Sequence, residues 1–181
     1  MDAVRQAYCA TLLAMVLLER STTRLRLRPV TMDDLEAFVA LESSLRARED
    51  PPREPPAVAE SARYLAAFTG AWERGQLGYW TIKFQGQVAG FGGVQPKHWR
   101  DRECWNLYYR VTPTLWGRGV ATEMAREAIT TAAVVHPAWP VVVETRPWNA
   151  AAIKVAERAG LTRQPAQAHD DHVVLLLEAT R

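Results

Sequence analysis

The residues best placed to do chemistry lie in one stretch, Val111-Thr112-Pro113-Thr114-Leu115-Trp116-Gly117-Arg118-Gly119-Val120-Ala121-Thr122. It follows a strand-like run, Cys104 to Thr112. It opens a helical stripe of Ala121, Met124, Ala125, Ala128, Ala132 and Val135. Glycine at 117 and 119 lets backbone come close to a ligand, and the first N–H groups of a helix have no partner inside it. With the helix dipole, those amides make an anion site suited to a diphosphate. Thr122 can add a hydroxyl and Arg118 a charge. A tight turn without a ligand has the same signature. A dinucleotide site also competes, because Gly117-x-Gly119 precedes a helix and Glu144 ends the next strand, where a ribose-binding acid would fall. Against it, Thr122 holds the third glycine position, and the motif follows a hairpin instead of opening a first βαβ unit.

The elements that must position this loop can be read in order. Arg24-Leu25-Arg26-Leu27-Arg28 alternates with period two and stops at Pro29, which marks a half-buried strand. Thr31-Met32-Asp33-Asp34 reads as a capping box before a helix with Leu35, Phe38, Val39 and Leu45 inward. The prolines between Glu49 and Pro56 end that helix. A second follows, with Val58, Ala62, Leu65 and Trp72 at helical spacing and a stop near Gly75. Gly78 to Phe84 and Gln87 to Gln95 are strands joined at Gln85-Gly86, a hairpin signal. His98 to Glu103 reads as a charged loop. After the long helix come a short apolar strand, Val141 to Val143, a helix capped by Asn149 and stopped by Gly160, and a last strand from Val173 to Glu178. The order β-α-α-β-β-β-α-β-α-β predicts one mixed sheet with helices on its faces.

Trp116-Gly117-Arg118-Gly119-Val120-Ala121-Thr122-Glu123 resembles the diphosphate loop of GNAT acetyltransferases, in particular their RimJ/RimL-like branch. Thr23 to Pro29 with the Asp-rich helix start is similar to that branch's opening. Asn149 followed by Glu157, Gly160 and Leu161 is similar to its last helix. These matches span about residues 22 to 178. The resemblance implies an α+β, three-layer fold: a mixed, mostly antiparallel sheet splayed between its two central strands, with helices on both faces. It implies a GNAT domain over 22–181, and the apolar run before it makes 1–21 a helical extension. It also implies acetyl-CoA as acyl donor and an amine acceptor, either a protein N-terminus or a small molecule. Cofactor contacts then fall on Arg110, Val111, Trp116, Gly117, Arg118, Gly119, Val120, Ala121, Thr122 and Asn149. The pantetheine arm lies along backbone near Arg110 and Val111, and the Val111 N–H polarises the acyl carbonyl.

Two positions depart from the family pattern. Ala156 stands where many relatives have a tyrosine acid, and Ala152 where RimJ/RimL-like members often have a serine. A thiol of pKa about 8.5 leaves fairly readily without an acid. The nucleophile matters more. An α-amine of pKa about 7.7–8.0 is appreciably neutral near pH 7, whereas a lysine at about 10.4 is not. A site lacking an acid–base pair therefore suits a low-pKa amine. Glu103 is the base candidate, with Asp101 and His98 behind it. Tyr108, Trp105, Trp80 and Trp99 are candidate pocket aromatics. The departures also motivate a rival, a CoA-binding module without catalysis.

Composition bounds the remaining readings. The 181 residues suit one domain, with 48% hydrophobic and 23% charged residues, ordinary for a globular chain. A net charge of +2 excludes a strong nucleic-acid or membrane-surface footprint. Cys9 and Cys104 have no neighbours at metal-ligand spacing and make no disulfide framework. His169-Asp170-Asp171-His172 has no accompanying ligand set, so no metal is expected. The apolar run Tyr8 to Leu18 is shorter than the roughly 20 residues a spanning helix needs, and no cleavage site follows it. A cytoplasmic protein is expected, and the run suits a helix packed on the domain or on a second copy in a homodimer.

Overall fold

A computed structural model describes residues 19–165 and 172–179. Its sheet has eight strands in the order β1-β2-β3-β4-β5-β6-β8-β7. These are β1 (Arg20–Ser21), β2 (Leu25–Pro29), β3 (Tyr79–Phe84), β4 (Gln87–Trp99), β5 (Arg102–Val111), β6 (Val141–Thr145), β7 (Thr162–Arg163) and β8 (Val173–Leu177). Every pair is antiparallel except β5 and β6. The mixed α+β architecture expected from the element order is therefore present. β1 pairs with β2, so residues 20 and 21 belong to the sheet and not to an N-terminal extension. Residues 1–18, Cys9 among them, lie outside the described residues.

Helices α1 (Leu35–Arg46) and α2 (Val58–Glu73) pack on one face, around Phe38, Leu41, Leu65, Phe68, Tyr79 and Phe91. Helices α3 (Val120–Val135) and α4 (Ala150–Arg158) pack on the other, with Trp80, Ile82, Trp105 and Leu107 beneath them. Strand alternation produces this division: Tyr79 and Trp80 are neighbours in sequence and face opposite layers. Ala125, Ala128 and Ala132 are fully buried, so α3 lies close on the sheet. At Gly92 a Cβ would come within 2.7 Å of the Tyr108 carbonyl, backbone that cannot move aside, as well as 2.5 Å from the Met124 methyl, so the strand is bare there.

Several boundaries differ from the sequence reading. The stretch His98 to Glu103 is no loop; β4 and β5 continue through it to a turn at Arg100, whose φ is 52°. Pro96 is tolerated because β3 stops pairing at Gly93, so the side of Pro96 that lacks an N–H faces an open edge. In α2 the buried stripe is Ser61, Leu65, Phe68, Thr69 and Ala71, while Val58 is 60% exposed. The Thr31 capping box is present, followed by a short 3-10 turn before α1. The Gln85-Gly86 turn has positive φ at both residues, as a tight hairpin requires.

Candidate active site

β5 and β6 stay together for only two rungs, Trp105 with Val141 and Asn106 with Val142. Past that point Leu107 to Val111 and Val143 to Thr145 diverge, and β6 pairs only with β8. Backbone parity decides what faces the opening. Thr112 N–H donates to Ala89 at 2.8 Å, while Trp105 N–H donates to Pro140 at 2.8 Å on the other side. Even-numbered amides of β5 therefore point to β4, and odd-numbered ones, Tyr109 and Val111 among them, point into the gap. Arg110 is opposite Phe91 in the hydrogen-bonded register, so its amide and carbonyl are engaged within the sheet. The expected opening of Arg110 backbone on the gap is therefore not met; the neighbouring Tyr109 amide opens there instead. The Val111 carbonyl accepts the Trp116 indole N–H at 2.8 Å, which ties the loop to the strand.

The loop after β5 turns through a short 3-10 segment, Pro113–Leu115, into Gly117 (φ 75°) and Gly119 (φ 78°), the N-cap of α3. No side chain caps that helix. Glu123 N–H is the first amide to find an intrahelical acceptor, Gly119, at 3.0 Å. The amides of Val120, Ala121 and Thr122 thus lack helical partners. Val120 is 1% exposed and packs into the core, which seats the first turn of α3 against the sheet. Arg118 packs its guanidinium over the Phe84 ring at 5.1 Å, and its carbonyl accepts Arg24 at 3.0 Å. Arg24 in turn binds Glu123 at 2.6 Å, anchoring the first turn of α3 to the start of β2. Trp116 is 53% exposed beside the opening, and Trp148, 77% exposed, follows β6 on the same side.

Asn149 caps α4, its side-chain oxygen accepting Ala152 N–H at 3.1 Å. Ala156 is fully buried, so no polar group from that position reaches the gap. A hydroxyl does arrive from the strand: Tyr109 donates to the Ala152 carbonyl at 2.6 Å. Burial pushes this phenol above its usual range, so it stays protonated. A tyrosine inside a strand reads as core, and nothing in the sequence singled it out.

Glu103 is not brought to this place. It sits at the start of β5, eight residues from Val111 and so roughly 26 Å along the strand. Its partner is His98, 3.1 Å away in the exposed hairpin. Glu144 is held by Lys97 and by the Trp99 indole at 3.2 Å, where it cannot bind a ribose beside the glycine loop. Of the candidate aromatics, Trp80 and Trp105 are core beneath α3 and Trp99 packs under the β4–β5 hairpin; Tyr108 alone borders a cavity. No metal-binding cluster occurs among the described residues, and His169 to Asp171 lie outside them. No described helix is long and apolar enough to cross a membrane.

Cys104 is fully buried, and burial pushes its thiol up to about 11. In a Cys9→Ser background, native protein at pH 7.5 is expected to resist a maleimide for hours and to react at once in denaturant. Rapid labelling of the native protein would show that the strand opens.

On the α1–α2 side of β5 lies a cavity of about 260 Å³, bordered by Glu42, Arg46, Ser61, Phe68, Tyr108 and Arg110. Glu42 is paired with Arg110, and Arg46 with Glu60 at 2.6 Å. This cavity and the split between β5 and β6 flank the same strand.

A sheet parted beside an uncapped helix start, with unpaired strand amides leading to it, is the architecture of an acyl-group transferase that binds a long diphosphate-bearing donor. The family model for the acetyltransferase (GNAT) domain matches residues 24–162, and the chain belongs to that family. Solved structures agree on the fold. A GnaT-family acetyltransferase from Bordetella pertussis superposes with a TM-score of 0.72 at 23% identity, covering 90% of this chain and 99% of the other. An acetyltransferase from Agrobacterium tumefaciens str. C58 gives 0.72 at 24%, covering 88% and 94%. RimL, a ribosomal L7/L12 α-N-protein acetyltransferase in complex with coenzyme A, gives 0.71 at 18%, covering 88% and 96%. Among curated proteins no sequence matches.

Proposed function

We propose that this enzyme transfers an acetyl group from acetyl-CoA directly to a primary amine. The observation that carries the reading is two sets of backbone donors without a backbone acceptor among the described residues, Tyr109 and Val111 along the split and Gly117, Gly119 and the first turn of α3 beyond it. The diphosphate sits on the amides of Gly117 and of Gly119 to Thr122, stabilised by the helix dipole, while the Arg118 amide stays on the Leu115 carbonyl. The pantetheine arm fills the split as a surrogate strand, beside Trp116 and Asn149. The Val111 N–H is the donor to the acyl oxygen, whose charge grows as the amine attacks. The neutral amine nitrogen bonds to the acyl carbon, the C–S bond breaks, and the proton the nitrogen sheds balances the one the thiolate takes up.

With Ala152 and Ala156 unable to donate, the Tyr109 hydroxyl is the group we assign to the departing sulfur. It is already at the α4 carbonyl that borders the vacant serine position. Tyr109→Phe is expected to lower kcat about a hundredfold, the lower end of general-acid contributions, with KM for acetyl-CoA unchanged. An unaltered kcat would remove Tyr109 from the mechanism. Glu103 has no part in this reading, and the amine must arrive neutral without help. The pH–rate profile should then show no enzyme group titrating between about 6 and 8, only the amine itself.

Calorimetry with CoA and acetyl-CoA tests the donor site, and thiol release with an amine panel tests the chemistry. Absence of binding by either nucleotide would end the proposal.

A further inference from the structure

The cavity between α1, α2 and β5 holds an unusual imbalance. Its carboxylates are matched: Glu42 by Arg110, and Glu60 by Arg46. What remains over are donors. Arg46 Nε and Ser61 Oγ are buried and make no hydrogen bond among the described residues. Ser61 is 2% exposed, so water does not reach it freely. Its position in the first turns of α2 leaves the hydroxyl free to bond the Ala57 carbonyl, yet only its backbone N–H does so, at 3.1 Å. Buried polar groups are almost always satisfied, and one left bare costs roughly 1–3 kcal/mol. Two such groups border one cavity, Arg46 from the end of α1 and Ser61 from α2, and with one of them on a guanidinium they mark a place for an acceptor that carries negative charge.

The rest of the cavity limits what brings that charge. Phe68 and Tyr108 meet edge to face at 5.2 Å, and Phe38 meets Phe68 at 5.8 Å, so the floor is aromatic. About 260 Å³ is below the usual range for drug-sized ligands, which run from about 300 Å³ upward. Tyr108 and Arg110 border the cavity, and they alternate along β5 with Tyr109 and Val111, which face the donor split. A molecule seated here has one end at the strand and the other at Arg46 and Ser61.

Resting on the acetyl-transfer reading above, we infer that the acceptor is a compact primary amine bearing a carboxylate, an amino acid or a close derivative. Its carboxylate bridges Arg46 Nε and Ser61 Oγ, its apolar body lies over Phe38 and Phe68, and its amine points toward β5. A polypeptide N-terminus offers carbonyls but no carboxylate at that distance.

Matched amines test this: phenylalanine against phenethylamine and phenylalaninamide, methionine against 3-(methylthio)propylamine, and an uncharged Ser-Ala-Ala peptide amide. Melting temperature with saturating CoA reports binding, and thiol release from acetyl-CoA reports turnover. The carboxylate-bearing partners should give the larger melting shift and a KM lower by about tenfold or more, the scale of a charge-assisted hydrogen bond. In Ser61→Ala and Arg46→Lys, which keeps a cation for Glu60, that preference should shrink toward parity. Ser61→Ala should not lower the melting temperature of the unliganded protein, since its hydroxyl has no partner to lose. A preference for the decarboxylated amines or the peptide overturns the inference, as does a carboxylate preference untouched by both substitutions. So does silence from every amine while CoA still binds. Failure of CoA itself to bind would instead strike the donor-site reading.

Discussion

Gly117→Asp is expected to weaken acetyl-CoA binding by at least about a hundredfold while leaving the fold intact. A Cβ at Gly117 meets nothing within 4 Å, so the new side chain projects into the open space the diphosphate would occupy. The residue stands at φ 75°, where aspartate is tolerated better than most residues, and the strain is at most about 1–2 kcal/mol. A carboxylate about 4 Å from a phosphate charge near a protein surface is repelled by roughly 4 kcal/mol, close to a thousandfold in affinity. Gly117→Asn separates the two effects: it keeps the shape and omits the charge, so it should lose much less. Calorimetry on both variants decides the matter. Equal binding by the aspartate variant and the parent would place the diphosphate elsewhere.

The second large effect concerns Asp34, which is 3% exposed and joins β2, β3 and the start of the segment leading into α1. Its carboxylate accepts from Arg28 of β2 at 2.5 and 2.9 Å, from Thr31 N–H at 3.0 Å and from the Thr81 hydroxyl of β3 at 2.7 Å. Removing one partner of a buried ion pair leaves the other uncompensated. Arg28 keeps 31% of its side chain exposed and water partly replaces the lost partner, so Asp34→Ala should lose about 2–3 kcal/mol, roughly 4–12 °C in Tm for a chain this size. Burial alone would raise the Asp34 pKa; Arg28, Thr31 and Thr81 outweigh it and hold the group below its usual range. A depressed pKa contributes stability that is fully present above the unfolded value, about 3.9, and lost as pH falls through the folded one. The gap between parent and variant should thus be constant from pH 7 to 5 and narrow below about pH 4. A gap that persists in acid would mean that packing, not charge, is what Asp34 supplies.

Much of the donor site was legible because its signals are local. Glycines before a helical stripe, an Asn cap and a Pro-terminated strand are each contained within a few residues. What escaped depends on long-range pairing. Whether Arg110 or Tyr109 faces the split is settled by register with Phe91, which no window of sequence around residue 110 contains. The β4–β5 hairpin was hidden by Pro96 and by charge, and it is tolerated only because β3 ends early. In α2 the inward stripe includes Ser61 and Thr69, so hydrophobic spacing assigned the wrong face near Val58. Ser61 itself carries no motif; its interest comes from having no partner, which only a folded chain can reveal.

The short junction between β5 and β6 has a mechanical consequence. Two rungs join a five-strand slab, β1 to β5, to a three-strand slab, β6, β8 and β7. Coenzyme A wedged along that seam would act as a strut. Amide exchange across the smaller slab should slow on ligand binding more than exchange in β2 and β3, and the enzyme should melt as one stiffer body when loaded.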